Sequence, residues 1–398
     1  MVRAFPVLFI AAGVAASLFA AEPAPRAFGD KVCLRGDFQN ARLKFERSGR
    51  GVVAFLGGSI TEMEGYRPMV CELLGKRFPK TAFTFIPAGI SSTCSTTGAF
   101  RFATDVLGAG TVDLLFVEFA VNDDQDAQLS REACIRGMEG IVRQARQANP
   151  EMDVVMTFFV NEPILAALQA GKTPLTIEAH QAVAVHYSIP TIHLAKEVAE
   201  EISAGTLTWK TFGGVHPAPH GNAICTRMID ELFARAWAEP LGAGASAKPH
   251  PVPPMPLDPL SYSAGRFVDI GTARIAQGWT LGVPDWKGLP GSKRPRFSSI
   301  PMLCATEPGA EVSLPFSGTA VGAYIVAGPD AGIAEARIDK GAFQKVDLYH
   351  AYSKGLHYPR TVMLGTALPP GAHTLTLRIS PETRSAGHAM RIMRFVAN

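Results

Sequence analysis

Residues Gly51–Thr61 read GVVAFLGGSIT. The unbroken apolar run Val52–Leu56, closed by Gly57-Gly58, is the pattern of a strand buried on both faces that ends in a sharp turn. Working outward, Arg67–Phe78 places Met69, Val70, Leu73, Leu74 and Phe78 at helical spacing. Further strands are predicted at Phe83–Ile86, Leu114–Ala120, Val154–Val160 and Thr191–Leu194. Helices are predicted at Arg131–Ala148, entered through Ser130 and stopped at Asn149-Pro150, and at Ile177–Tyr187 and His220–Trp237. Strands alternating with helices call for an α/β unit with a parallel sheet covered on both faces.

The pattern changes after Glu239. Seven prolines, at 240, 249, 251, 253, 254, 256 and 259, mark a stiff, extended linker over residues 240–260. Beyond it the helical spacing disappears. Short runs such as Glu311–Pro315, Val321–Val326, His373–Ile379 and Met390–Val396, separated by turn residues, predict an all-β sandwich over residues 261–398. At the other end, Arg3, the apolar Ala4–Phe19 and the small pair Ala20/Ala21 read as a signal peptide, residues 1–21. That implies export to the periplasm or the exterior and no integral membrane span after cleavage. The oxidising compartment leaves the six cysteines open to pairing or to burial as free thiols. Lysine plus arginine less aspartate plus glutamate is 38 − 35 = +3, with no basic cluster, which excludes a nucleic-acid binder that works through a basic face.

In an open α/β sheet, ligands bind beyond the carboxyl ends of the strands. Three such ends here carry chemistry. Gly57-Gly58-Ser59 exposes a serine in a turn, Ala88-Gly89 offers an unobstructed backbone N–H, and Val121-Asn122-Asp123 offers a side-chain amide. Before the last helix, Gly213-Gly214-Val215-His216-Pro217 supplies a base. Taken singly, each has a structural reading as a cap, a turn or a packed histidine. In this order and spacing, Ser59, Gly89, Asn122 and His216 resemble the four signature blocks of the SGNH (GDSL-type) hydrolases, over Gly51 to about Trp237. The resemblance implies a three-layer α/β/α, flavodoxin-like hydrolase domain over residues 22–239. It also implies acyl transfer by a Ser59 nucleophile with His216 as base, and an oxyanion hole of the Ser59 N–H, the Gly89 N–H and Asn122. No cofactor is implied. His216 and His220 do not suggest a metal site, because Pro217 and Pro219 break any helix between them.

Three positions depart from the family pattern. Gly58 replaces the usual Asp of the first block, and Ala120 the Gly of the third. Gly213 stands where the family places the acid of its triad. Three arrangements remain open: a backbone carbonyl near Gly213 orients His216; Glu62 or Asp123 substitutes; or the enzyme is slow or inactive. Arg101 reads as structural or as reaching the site, and Trp209 and Phe212 as pocket wall or core. The sandwich is similar to domains that accompany carbohydrate-active esterases, and its stretch Tyr349, His350, Tyr352, His357, Tyr358 could stack on sugars or pack on its own domain. The reading is an exported serine esterase that removes small acyl groups from an acylated polysaccharide or oligosaccharide. The competing readings are a lipase or thioesterase of the same fold, and a non-catalytic glycan-binding protein on a degraded esterase domain. Oligomeric state is not legible.

Overall fold

The computed structural model describes residues 27–398, so the expected signal segment lies outside it. In chain order the first unit contains β1 (Val32–Cys33), α1 (Asn40–Ser48), β2 (Arg50–Gly57), α2 (Ser59–Glu62), α3 (Tyr66–Arg77) and β3 (Ala82–Gly89). Then come α4 (Ser95–Asp105), β4 (Leu114–Val117), α5 (Arg131–Ala148), β5 (Asp153–Thr157), α6 (Glu162–Gln169), α7 (Leu175–His186) and β6 (Thr191–Ile192). The unit closes with α8 (Leu194–Ser203), α9 (Trp209–Phe212) and α10 (Pro219–Ala236).

The strands lie in the order β1-β6-β5-β4-β2-β3. All neighbours are parallel except β1, which pairs antiparallel with β6 at the edge. The sheet is therefore mostly parallel, as the alternation of strands and helices predicts, with one antiparallel edge strand, β1, whose two residues are too few to show a period. Val53–Leu56 and Leu114–Val117 are buried, as a doubly covered strand requires. Each valine, leucine or phenylalanine among them contributes about 1.5–3 kcal/mol of burial. Because the chain reverses its direction of travel after β3, right-handed crossovers put α4, α5 and α7 on one face and α3 and α10 on the other. The reversal leaves a crevice beyond β2, β3 and β4. Helix α5 starts where Ser130 caps it, its hydroxyl accepting from Ala133 N–H at 3.3 Å. Helix α4 (STTGAFRFATD) shows no helical signal in its sequence; its inner face, with Ala99, Phe100 and Phe102, is packed into the core.

The Pro-rich stretch is strapped along the α/β unit. Asn40 bonds both the N–H and the carbonyl of Lys248, His250 Nε2 lies 2.8 Å from Asp153 Oδ1, and Glu139 accepts from the N–H groups of Leu257 and Asp258. The C-terminal unit is a pair of antiparallel sheets. One orders Tyr358–Gly365, Val321–Ala327, Met390–Ala397, Met302–Ala305 and Thr280–Gly282, with Arg266–Val268 also on Met390–Ala397. The other orders Gln344–Asp347, Ile333–Ile338, Ala372–Ile379, Glu311–Ser317 and Arg274–Gln277. They enclose a core of their own, with Leu314, Ile325, Leu375 and Phe395. The first sheet also turns Tyr324 and Met393 into the core of the α/β unit, alongside Phe297. The two units meet along α4, where Thr97 Oγ1 donates to Thr361 Oγ1 at 2.9 Å. All six cysteines are free.

Candidate active site

Ser59 opens α2, directly after β2 and the turn at Gly57-Gly58. His216 lies in the loop between α9 and α10, and its Nε2 is 2.8 Å from Ser59 Oγ. The pair is 157 residues apart in sequence and sits on the exposed rim of the crevice. Asn122 begins one turn of π-helix, Asn122–Asp126, after β4. Its amide is packed against the nucleophile turn so closely that a Cβ at position 58 would lie 2.0 Å from Asn122 Oδ1. A side chain on this backbone at position 58 would force the amide or the turn to shift.

Asn122 Nδ2 donates to Asp126 Oδ2 at 2.6 Å, which fixes the amide and leaves a second N–H on that nitrogen without a partner among the described residues. Burial pushes the Asp126 carboxyl above its usual range. Asp126 follows Asn122 by four residues, one helical turn on, and that spacing is the signal that could have found it.

Gly89 is brought against α2, where a Cβ would lie 2.3 Å from Glu62 N. Its own N–H faces elsewhere. Gly57 pairs with Gly89, and Gly57 O accepts from Ile90 N at 3.0 Å, so the groups of β3 that face β2 are Ala88 C=O and Ile90 N–H. In a trans peptide, N–H points opposite to C=O, so the Gly89 N–H is directed away from β2.

Two buried charged groups lie beneath this turn. Arg101, fully buried on α4, donates to Ala88 O at 2.7 Å, to Gly57 O at 3.0 Å and to Asp105 at 3.0 Å. It is structural, tying together the ends of β2 and β3. Glu118 Oε1 accepts from Gly58 N at 2.9 Å and from Thr61 Oγ1 at 2.7 Å, and Tyr66 OH lies 3.0 Å from that hydroxyl. Among the described residues its Oε2 has no partner. Burial pushes its carboxyl up to about 7. Within the apolar run LLFVEFA it carries no signal of this role.

Residues 55–224 match the model of the GDSL-like lipase/acylhydrolase family. The α/β unit is a GDSL-like hydrolase domain. Two crystal structures of a two-domain esterase active on acetylated mannans, one co-crystallised with mannopentaose, are similar to the whole chain. Their TM-scores are 0.71 for the mannopentaose complex and 0.73 for the other, each at 20% identity over 92% of this chain and 96% of theirs. At that identity the likeness concerns fold, and it extends across both units. No curated protein matches the chain.

The hydrolase domain places neither expected substitute acid against His216. Glu62 Oε2 accepts from Ser91 N–H at 2.8 Å and from Ser91 Oγ, and Oε1 accepts from Arg296 at 2.8 Å. Burial works to raise the Glu62 carboxyl, but these donors and Arg294 hold it below its usual range. Asp123 accepts from Ser95 N at 2.7 Å, from Ser95 Oγ at 2.6 Å and pairs with His180 Nε2 at 2.9 Å, all in the core. Among the described residues no hydrogen bond reaches His216 Nδ1. The turn itself explains the missing acid. Gly213 has φ +108°, and a Cβ there would lie 2.0 Å from Ala218 N. Ala218 N–H in turn donates to Phe212 O at 2.8 Å.

One group in the hydrolase domain has the composition of a metal site. Asp123, Cys134 and His180 hold their ligand atoms within 4.8 Å of one another. The Asp123 oxygens are already satisfied, and burial raises the Cys134 thiol so that it stays protonated, the wrong state for a ligand. Phe212 is buried in the core and Trp209 stacks on it at 5.7 Å. In the aromatic stretch of the C-terminal unit, His350 stacks on Tyr358 at 4.5 Å, and Tyr352, packed against both rings, is 45% exposed.

Proposed function

We propose that this protein is an exported serine esterase that removes acetyl or other small acyl groups from a polysaccharide, using a Ser59–His216 dyad. The observation that carries the reading is the 2.8 Å contact between Ser59 Oγ and His216 Nε2 beyond the carboxyl ends of β2 and β4. Ser59 Oγ attacks the acyl carbonyl carbon while Nε2 takes its proton. The carbonyl oxygen becomes an oxyanion held by the Ser59 N–H and the Asn122 amide. The sugar hydroxyl leaves with the proton from Nε2, and a serine ester remains. Water, deprotonated by Nε2, attacks the serine ester, the Ser59 Oγ–acyl bond breaks as Oγ takes that proton back from Nε2, and the carboxylic acid leaves and ionises. General base assistance contributes about 10²–10⁴ in rate, and each oxyanion donor about 10²–10³. Gly89 serves by having no side chain between β3 and α2.

The carbohydrate part of the reading is supported by the two-domain likeness to an esterase active on acetylated mannans. Tyr352 on the C-terminal unit adds an exposed ring of the kind that stacks on sugars. Export is supported by the Arg3, Ala4–Phe19 and Ala20/Ala21 pattern, and no helix among the described residues is long and apolar enough to cross a membrane. The test is acetate release from acetylated mannan, with 4-nitrophenyl octanoate as the lipase control. The reading predicts acetate release by the wild type and none by Ser59→Ala. A preference for the octanoate would overturn the substrate class, and undiminished release by Ser59→Ala would overturn the mechanism.

A further inference from the structure

A β-turn follows β3. Thr93 N–H donates to Ile90 O at 3.2 Å, which makes Ser91 and Ser92 its central residues. Ser92 has φ +68°, the left-handed region, at the second central position. That is the signature of a type II turn, which normally takes glycine there. In a type I turn the peptide between the central residues is flipped. The choice of turn therefore decides which way the Ser92 N–H points. For a non-glycine residue the left-handed form is disfavoured about 5- to 30-fold, so something must hold it.

The holding groups come from the C-terminal unit. Arg294 Nη1 donates to Ser91 O, the carbonyl of that very peptide, at 2.5 Å, and Nη2 donates to Ser92 Oγ at 2.7 Å. Tyr358 OH donates to Ser92 O at 3.2 Å. Arg296 holds Glu62, which in turn holds the Ser91 N–H and hydroxyl against α2, the helix that Ser59 begins. With Ser91 C=O turned to Arg294, the Ser92 N–H points the opposite way. It has no acceptor among the described residues. Ser92 and Asp126, the partner of Asn122, line the same cavity.

We infer that the C-terminal unit is a working part of the catalytic centre: Arg294 and Tyr358 clamp the strained Ser92 peptide so that its N–H serves as an oxyanion donor. The inference rests on the serine esterase reading above. It gives the donor after β3 to Ser92, where the motif pattern pointed to Gly89. Arg294 and Tyr358 are positioning residues, and their effect on rate does not depend on a sugar.

The test uses the full-length protein and 4-nitrophenyl acetate, which carries no sugar. Arg294→Gln is expected to lower kcat and kcat/KM together by about 10- to 100-fold with KM within threefold, short of the 10²–10³ of a donor removed outright. Ser92→Gly is made only as the second change. Combined with Arg294→Gln, it is expected to recover at least tenfold, because glycine adopts φ +68° without being held. Should Arg294→Gln fail to fold, Tyr358→Phe removes one hydroxyl and is expected to show a smaller loss in kcat with the same rescue. A loss not rescued by Ser92→Gly, or one that appears only in KM, overturns the clamp. Ser59→Ala runs alongside: if it retains activity, the esterase mechanism has failed, whereas a dead Ser59→Ala beside an unimpaired Arg294→Gln discards the clamp alone.

Discussion

Restoring the acid that the family pattern would place at position 213 is expected to damage the protein rather than improve it. At φ +108°, any side chain costs about 1–2 kcal/mol of backbone strain. The new Cβ would lie 2.0 Å from Ala218 N, 2.8 Å from Ala218 Cβ and 2.8 Å from the Pro217 carbonyl carbon. None of these is the free end of a flexible side chain. The backbone cannot give way cheaply, because Asn222 Nδ2 donates to Pro217 O at 2.7 Å and Ala218 N–H to Phe212 O at 2.8 Å. Losing the second bond costs about 1 kcal/mol more, and overpacking about 1–3 kcal/mol. Gly213→Asp is therefore expected to cost at least about 3 kcal/mol. In a domain of this size that lowers the melting temperature by roughly 6–12 °C. His216 sits three residues on, so kcat for 4-nitrophenyl acetate falls as well. Thermal denaturation followed by circular dichroism, with kinetics on the folded protein, checks both. An unchanged melting temperature with raised kcat would refute the argument that this turn excludes the acid.

Three further outcomes are expected. Glu118 has a native carboxyl near 7 against an ordinary value of 4.5, so the native state favours its protonated form. Its contribution to stability is full below pH 4.5 and is lost as pH rises to 7, about 3 kcal/mol in all. Glu118→Gln should lack that loss, so urea midpoints of wild type and variant diverge in favour of the variant between pH 4 and pH 8; parallel curves would contradict it. Asp126→Asn, which loosens the Asn122 amide, should lower kcat about tenfold with KM unchanged; steady-state kinetics showing a rise in KM alone would contradict that role. Glu62→Gln still accepts from Ser91 and should keep more than a third of wild-type kcat, whereas a loss of about 10⁴ would make Glu62 the orienting acid.

What the sequence disclosed and what it withheld follow from the range of the interactions. Ser59, Asn122 and His216 announce themselves because each stands at a strand end or before a helix, in short motifs of fixed order. The structure brings the serine and the histidine together, and the Asn122 amide against the turn before Ser59. The absence of an acid at Gly213 is visible in the sequence, but its cause lies in the contact with Ala218, which only the fold creates. Ser92 looks like any loop serine until its φ is known, and Arg294 lies 202 residues from it. Gly89 misleads for a related reason. A glycine at a strand end suggests a free N–H, whereas here its value is the space it leaves for α2. Glu118 hides just past the end of β4 because a single acid does not break an apolar run, and β1 is too short to have a period.

The central claim is that Ser59 is a nucleophile made reactive by His216. The most direct measurement is the intact mass of the protein after exposure to an alkyl fluorophosphonate. The account predicts a single adduct on wild type, mapped to Ser59, absent in Ser59→Ala and formed at least about 100-fold more slowly in His216→Ala. A wild type that stays unlabelled, or that labels at the same rate without His216, would contradict it.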